Sequence, residues 1–328
     1  MGSSSMVIPA LTLLNGGAYM NEMKTMTKET DRKELNRVSP LIEGKEFEVL
    51  SSTVKVEFGG LSHQGKVRPV NEDHYMITRL GRYQETLLTN LPEGDVPEHF
   101  QESGYAMVVA DGMGGAARGE VASRLAISTL AHLSLHFGKW NLRINEQIAR
   151  EVTERAERFY QRVGEALIEE GRADPSKTGM GTTLTGAFSA GSDLFVASVG
   201  DSRVYLFRRG RLLQLTRDQT YSQLLADIGQ IPQHEVSTHH LRHILTDAIG
   251  IGSGKINVKV RHLPLLNEDT LLLCTDGLTE MVDEEEIAGV LIRDQPAQDT
   301  CQTLVNLALE RGGTDNVTVL LAKYAIPV

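Results

Sequence analysis

Leu271-Leu272-Leu273-Cys274-Thr275-Asp276-Gly277 is an apolar run that ends in an acid and a glycine. A short, continuous run of this kind reads as a strand buried on both faces. The same grammar stands earlier, where Tyr105-Ala106-Met107-Val108-Val109-Ala110 leads into Asp111-Gly112-Met113-Gly114-Gly115. It returns near the end, where Asp315-Asn316 precedes Val317-Thr318-Val319-Leu320-Leu321. Asp-Gly is also an ordinary turn dipeptide, so one pair alone decides nothing. Three separated carboxylates, each at the edge of an apolar strand, are much harder to explain as turns. A fold that gathers those edges would hold hard, oxygen-preferring cations. Upstream, Arg68-Pro69-Val70-Asn71-Glu72-Asp73 adds an arginine and an acid pair. Packed carboxylates raise one another's pKa unless positive charge intervenes, and divalent cations supply it.

Working outward, the expected elements alternate in type. Alternation in Val54-Lys55-Val56-Glu57-Phe58 suits a first strand. Two long helices follow the glycine turn, one over 119–137. The second carries Ile144, Ile148, Val152, Ala156, Phe159, Val163 and Leu167 on one face. Strands then return at 183–189, 194–199 and 204–207, with Arg209-Gly210 as a hairpin turn before Leu212. After a polar stretch, strands are expected at 258–260 and 270–274, then helical segments around 287–291 and 301–309, and a last strand. This order suggests an α+β layered domain.

The 328 residues are 41% apolar, enough for a real core. A net charge of −10 argues against nucleic-acid binding, because no surplus of Lys and Arg is available to neutralise phosphates. Cys274 and Cys301 make no disulfide framework and read as small core residues. Val7 to Leu14 is a poor secretory signal and too short to span a bilayer, so a cytoplasmic protein without membrane insertion is expected. Met1-Gly2-Ser3-Ser4-Ser5-Met6 reads as a cloning leader, with Met6 the natural start. Residues 1–52 read as a partly mobile N-terminal extension, and 53–328 as the folded domain. Within that domain, 82–104 reads as an inserted loop and 217–250 as a polar flap. His239, His240 and His243 fall in the flap and read as an incidental loop cluster.

At this level of detail the chain resembles the metal-dependent serine/threonine protein phosphatases of the 2C type, in their bacterial branch. The matching pieces stand in the family's order: Arg68-x-x-Asn71-Glu72-Asp73, Asp111-Gly112-Met113-Gly114-Gly115, Gly179-Met180-Gly181-Thr182-Thr183-Leu184, Gly200-Asp201-Ser202-Arg203, Thr275-Asp276-Gly277 and Gly313-Thr314-Asp315-Asn316-Val317-Thr318. The resemblance covers about residues 54–324. It implies a central antiparallel β-sandwich flanked by helices on both sides. It also implies two Mn²⁺ or Mg²⁺ ions per site, with a third in bacterial relatives. In that scheme Asp111 bridges the two metals, the Gly112 carbonyl binds one, and Asp276 and Asp315 complete the other. Glu72 and Asp73 sit at the metal edge, Arg68 holds the substrate phosphate, and Asp201 joins Asp276 at the third metal. Two cations about 4 Å apart lower the pKa of a shared water, whose hydroxide attacks phosphorus directly. Phosphorylated proteins are the implied substrates, with a cognate Ser/Thr kinase and its substrates as partners.

Two positions depart from the family pattern. Met113 stands where many eukaryotic relatives carry a histidine, although bacterial relatives commonly have Met. Asp247 stands where relatives more often have a basic residue. Two alternatives remain at this level: a catalytically silent module that binds phosphoproteins, and a phosphatase acting on small phosphate esters.

Overall fold

The computed structural model describes residues 53–327 apart from 93, 139–143 and 253–254. The expected extension over 1–52 lies outside the described residues. Strands β1 (Lys55–His63), β2 (Asp73–Glu85), β3 (His99–Met113), β4 (Gly181–Thr182), β5 (Leu184–Ala190), β6 (Asp193–Val199), β7 (Arg203–Arg208), β8 (Arg211–Gln214), β9 (Lys259–Pro264), β10 (Thr270–Cys274) and β11 (Val317–Ala325) form two sheets. One runs in the order β1-β11-β10-β7-β8, the other β2-β3-β5-β6-β9, with β4 paired to β3. All these pairings are antiparallel.

The sheets pack face to face, and residue parity shows why the central strands read as unbroken apolar runs. Leu271 and Leu273 of β10, Leu320 and Ala322 of β11, and Val204 and Leu206 of β7 point inward. They meet Met107 and Val109 of β3 and Leu194 and Val196 of β6. The alternate residues Leu272, Cys274, Val319, Leu321 and Tyr205 face outward, yet they are buried too. Helices α4 (Asp276–Thr279), α5 (Glu284–Leu291) and α6 (Ala297–Glu310) cover that face, through Leu278, Ile287 and Leu304 among others. On the other sheet, Val108, Ala110 and Leu184 are covered by α1 (Ala116–Phe137) and α2 (Glu146–Ala173). With both faces buried, selection for apolar residues acts at every position and the two-residue alternation disappears.

Helix α2 begins at Asn145, whose side chain accepts from the Ile148 N–H at 2.9 Å. Its apolar face brings Tyr160, Val163 and Leu167 onto the sheet. The Tyr160 hydroxyl donates to the Ala197 carbonyl at 2.9 Å, so this buried polar tip is satisfied.

The 82–104 segment, expected as an inserted loop, is strand at its two ends and loop over 86–98. β2 and β3 continue as a long hairpin with Glu85 opposite His99. Arg82 Nε donates to Glu102 Oε2 at 2.7 Å, and Glu102 is buried. Pro92, Gly94 and Pro97 mark only the connection between the strands. Between β8 and β9, the flap region holds the short helix α3 (Tyr221–Asp227) and a 3₁₀ turn over Gln233–Thr238.

The inter-sheet core sets stability. Leu320 is fully buried in it, so Leu320→Ala is expected to cost about 2–5 kcal/mol through lost burial and a residual cavity. Urea unfolding checks this. A loss below about 1 kcal/mol would mean the sandwich collapses around the gap.

Candidate active site and metal centre

The fold brings the sequence-predicted acids to one end of the sandwich. Asp73 opens β2 directly opposite Asp111 on β3. Asp276 follows β10 and starts α4, while Asp315 precedes β11, the neighbour of β10. Arg68, Glu72, Asp111, Gly112, Asp201, Asp276 and Asp315 all line one open cleft of about 1010 Å³. Asp73 is the exception: it is buried behind the cleft and does not line it.

Hydroxyls and one amide hold these acids in place. Thr275 Oγ1 and Thr318 Oγ1 both donate to Asp73 Oδ2, at 2.8 and 2.7 Å. The Thr318 N–H donates to Thr275 Oγ1 at 3.0 Å. The Asp111 N–H donates to Thr183 Oγ1 at 2.9 Å, and Thr182 Oγ1 donates to the Asp111 carbonyl at 2.7 Å. Asn316 Nδ2 donates to the carbonyls of Gln64 and Val70, at 2.8 and 2.9 Å. Its Oδ1 accepts from the Glu72 N–H at 2.8 Å. Asn316 therefore ties the Arg68–Glu72 loop to the Asp315 loop.

The glycine after each acid has a steric reason. A Cβ on Gly112 would lie 2.0 Å from the Gly119 carbonyl oxygen, where α1 passes over β3. A Cβ on Gly277 would lie 2.0 Å from the Asn316 carbonyl oxygen. Neither glycine sits at a turn between strands. Both allow backbones to approach closely enough for the acids to meet.

The electrostatics are those of crowded, poorly hydrated anions. Burial, then Asp73, Asp276 and Asp201, push the Asp111 carboxyl well above the usual carboxylate range. Burial and then Asp315 raise Asp276. Burial pushes Asp73 up to about 7 despite its two hydroxyl donors. Asp201 is raised by burial and by Asp276. Arg203, two residues beyond Asp201, does not form its ion pair with that acid. It forms an ion pair with Asp218 at 2.6 Å instead. Glu72 Oε1, Asp73 Oδ1 and Asp276 Oδ1 are out of solvent contact and have no hydrogen-bond partner. Arg68 reaches Asp315 Oδ2 at 2.5 Å.

Sequence reasoning set aside one participant. Of the flap histidines, His239 and His240 pack on each other with ring centroids 4.4 Å apart. His243 instead lines the cleft, with Nδ1 2.7 Å from Glu280 Oε1. Glu280 lies four residues beyond Asp276, on the same side of a helix. That spacing is the signal available in the sequence. Burial and then Asp276 push the Glu280 carboxyl up to about 7.

The protein phosphatase 2C family profile matches residues 87–311. The chain belongs to the protein phosphatase 2C family. It is 35% identical over 217 residues to the serine/threonine phosphatase stp of Listeria welshimeri, covering 66% of this chain and 83% of that one. It is 34% identical over 229 residues to the protein phosphatase PhpP of Streptococcus pneumoniae, covering 69% and 89%. Among solved structures, the serine/threonine phosphatase of S. agalactiae superposes with a TM-score of 0.68 at 28% identity, over 82% of this chain and 99% of that one. The catalytic domain of the phosphatase PstP in complex with two manganese ions gives 0.63 at 30% identity, over 83% and 99%. The chain is thus a serine/threonine protein phosphatase of the 2C type.

The raised acids imply a pH dependence for metal-free protein. A carboxyl whose folded pKa lies above its unfolded value stabilises the fold below the unfolded value. That stability is lost as pH rises through the folded value. For Asp73 the window runs from the ordinary 3.8 to about 7. His74, lowered by burial, works in the opposite direction over part of that range. With chelator present, the melting temperature is expected to fall from pH 6 to pH 8. The fall should shrink in Asp73→Asn, whose amide oxygen still accepts both threonine hydroxyls. Equal slopes in the two proteins would contradict the assignment.

Proposed function

We propose that the chain hydrolyses phosphoserine and phosphothreonine esters in proteins by direct attack of a hydroxide, with no phosphorylated enzyme intermediate. The carrying observation is the set of acids converging on one cleft, with buried carboxylate oxygens on Glu72, Asp73 and Asp276 that lack hydrogen-bond partners. Such oxygens suit Mn²⁺ or Mg²⁺, which take carboxylate, carbonyl and water ligands. Asp111, the Gly112 carbonyl, Asp276 and Asp315 would hold two ions. Glu72 and Asp73 would support them from the edge, and Asp201 with Asp276 would hold a third. When bound, the ion pair supplies a hydroxide at neutral pH and offsets charge that builds on the phosphoryl oxygens.

The chain's own residues do the positioning. Arg68 stands at the cleft edge with its side chain 50% exposed, and its planar fork suits a phosphate. Asp315 keeps the guanidinium facing the acids. Met113 lines the cleft but has no proton to give, so the leaving oxygen takes its proton from water. Cys274 is no nucleophile, because it is fully buried and its thiol is pushed up to about 12.

Phosphoproteins, including a cognate kinase and its substrates, are the proposed partners, and the cytoplasm the proposed compartment. Among the described residues no helix is long and apolar enough to cross a membrane. The folded catalytic domain is taken as 53–328, with the 217–250 flap selecting among substrates. His243, Ile244, Leu245, Thr246 and Asp247 supply the flap side of the cleft.

Asp276→Asn keeps the shape of the side chain and removes its charge. It is expected to lower Mn²⁺-supported turnover of a phosphothreonine peptide by more than about a hundredfold, beyond what loss of a supporting residue costs. Near-normal turnover by a folded variant would reject the proposed centre. Arg68→Ala tests the phosphate role separately. Its KM should rise about tenfold or more, while calorimetric Mn²⁺ affinity changes little. Lost metal affinity with unchanged KM would assign Arg68 to the metal site instead.

A further inference from the structure

We propose that the outer half of β2, Arg79 to Glu85, is a docking edge for a second copy of this chain, added antiparallel about a two-fold axis at Arg82. β2 is the end strand of its sheet, and among the described residues it pairs only with β3. One side of its main chain therefore offers donors and acceptors to no neighbouring strand. Arg79 and all five residues from Gly81 to Glu85 are exposed. Just beyond them, Leu87 and Leu88 are 79% and 95% exposed. A long open edge of this kind is a template for strand addition. It lies away from the acids, because Asp73 starts β2 and Glu85 ends it.

The edge is complementary to itself, and that identifies the occupant. A two-fold contact uses the same patch on both copies, and residues opposite each other in an antiparallel pair share a face and interact. With Arg82 on the axis, Arg79 of each copy lies opposite Glu85 of the other, which gives two cross-strand ion pairs. Gly81 lies opposite Tyr83, whose exposed ring covers the bare glycine backbone. Thr78 then meets Thr86, and Ile77 meets Leu87. An axis at Gly81 would set Arg79 against Tyr83 and Glu85 against Ile77. An axis at Tyr83 would set Arg79 against Leu87 and Glu85 against Gly81. Only the Arg82 register joins the opposite charges. Arg82 meets its own counterpart on the axis, but its charge is compensated. Its Nε donates at 2.7 Å to buried Glu102, directly opposite on β3. Arg79 is held over the Tyr105 ring at 5.7 Å, so its side chain is already set on one face of the sheet.

The test is sedimentation equilibrium of the full chain over a range of concentrations. The proteins compared are wild type, Arg79→Glu, Glu85→Arg and the double variant carrying both changes, each checked for folding by circular dichroism. Wild type is expected to form a reversible dimer. Each single reversal sets like charges opposite each other twice per dimer and should weaken association at least about fivefold. The double variant restores opposite charges and should return to within about threefold of wild type. Arg158→Glu, on the exposed face of α2, should associate as wild type does. A wild type that stays monomeric would overturn the proposal and leave the edge to a different partner or to none. Single variants that associate as wild type does would overturn it too, because the dimer would then form elsewhere. So would a double variant no better than the single ones, since the loss would then come from the Arg79–Tyr105 contact. The readout is mass and not turnover, so the result stands apart from the hydrolysis reading.

Discussion

At the active end of the sandwich, one carboxylate oxygen ties the two sheets together. Asp73 belongs to the β2–β3 sheet, yet its Oδ2 takes hydroxyl donors from Thr275, beyond β10, and Thr318, on β11. A buried anion is costly unless it is bonded, so these donors fix how closely the sheet ends approach. That approach sets Asp111, on one sheet, against Asp276 and Asp315, at the edge of the other. Left to electrostatics alone, the acids would separate. The clamp satisfies one Asp73 oxygen and leaves the other without a partner. The fold thereby accepts a local instability at one end that the apolar core offsets elsewhere.

The backbone makes the same accommodation. Gly112 and Gly277 permit contacts that any side chain would block, one against Gly119 and one against Asn316. The Asn316 amide group then joins Gln64, Val70 and Glu72 in one network. Close backbone approach and side-chain bonding act together here: without the first, the second could not hold the loops that carry Arg68 and Asp315.

Much of this was legible in the sequence, for identifiable reasons. Strands such as 270–274 and 317–321 stood out because helices cover their outer faces, leaving apolar residues at every position. The acids stood out because each follows or precedes such a strand. What stayed hidden depends on contacts between distant residues. Thr275 and Thr318 look like ordinary β-branched strand residues until Asp73, more than 200 positions away, is brought to them. The strand ends at 82–85 and 99–104 escape a sequence reading because Pro92, Gly94 and Pro97 dominate a window in which few residues are buried. His243 was indistinguishable from His239 and His240 because only the flap's path decides which ring turns toward Glu280.

The same crowding explains why substrate binding and metal dependence belong to one constraint. Among the described residues lining the cleft, Glu72, Asp111, Asp201, Asp247, Asp276, Glu280 and Asp315 face only Arg68 and Lys255, with His243 beside them. Arg68 is already engaged by Asp315. Two like charges 4 Å apart repel by about 4 kcal/mol at an effective dielectric of 20. A phosphate dianion entering the bare cleft would meet several such terms, and one shared guanidinium cannot offset them. Protonating the acids would relieve the repulsion, but it would also remove the ligands that make the chemistry possible. Divalent cations are the remaining way to reverse the sign of the cleft while keeping its carboxylates ionised. On the proposed reading, affinity for phosphate would belong to the metal-loaded acids first and to Arg68 second, and recognition of the surrounding peptide would fall to the flap side of the cleft, where the side chains are mixed in character.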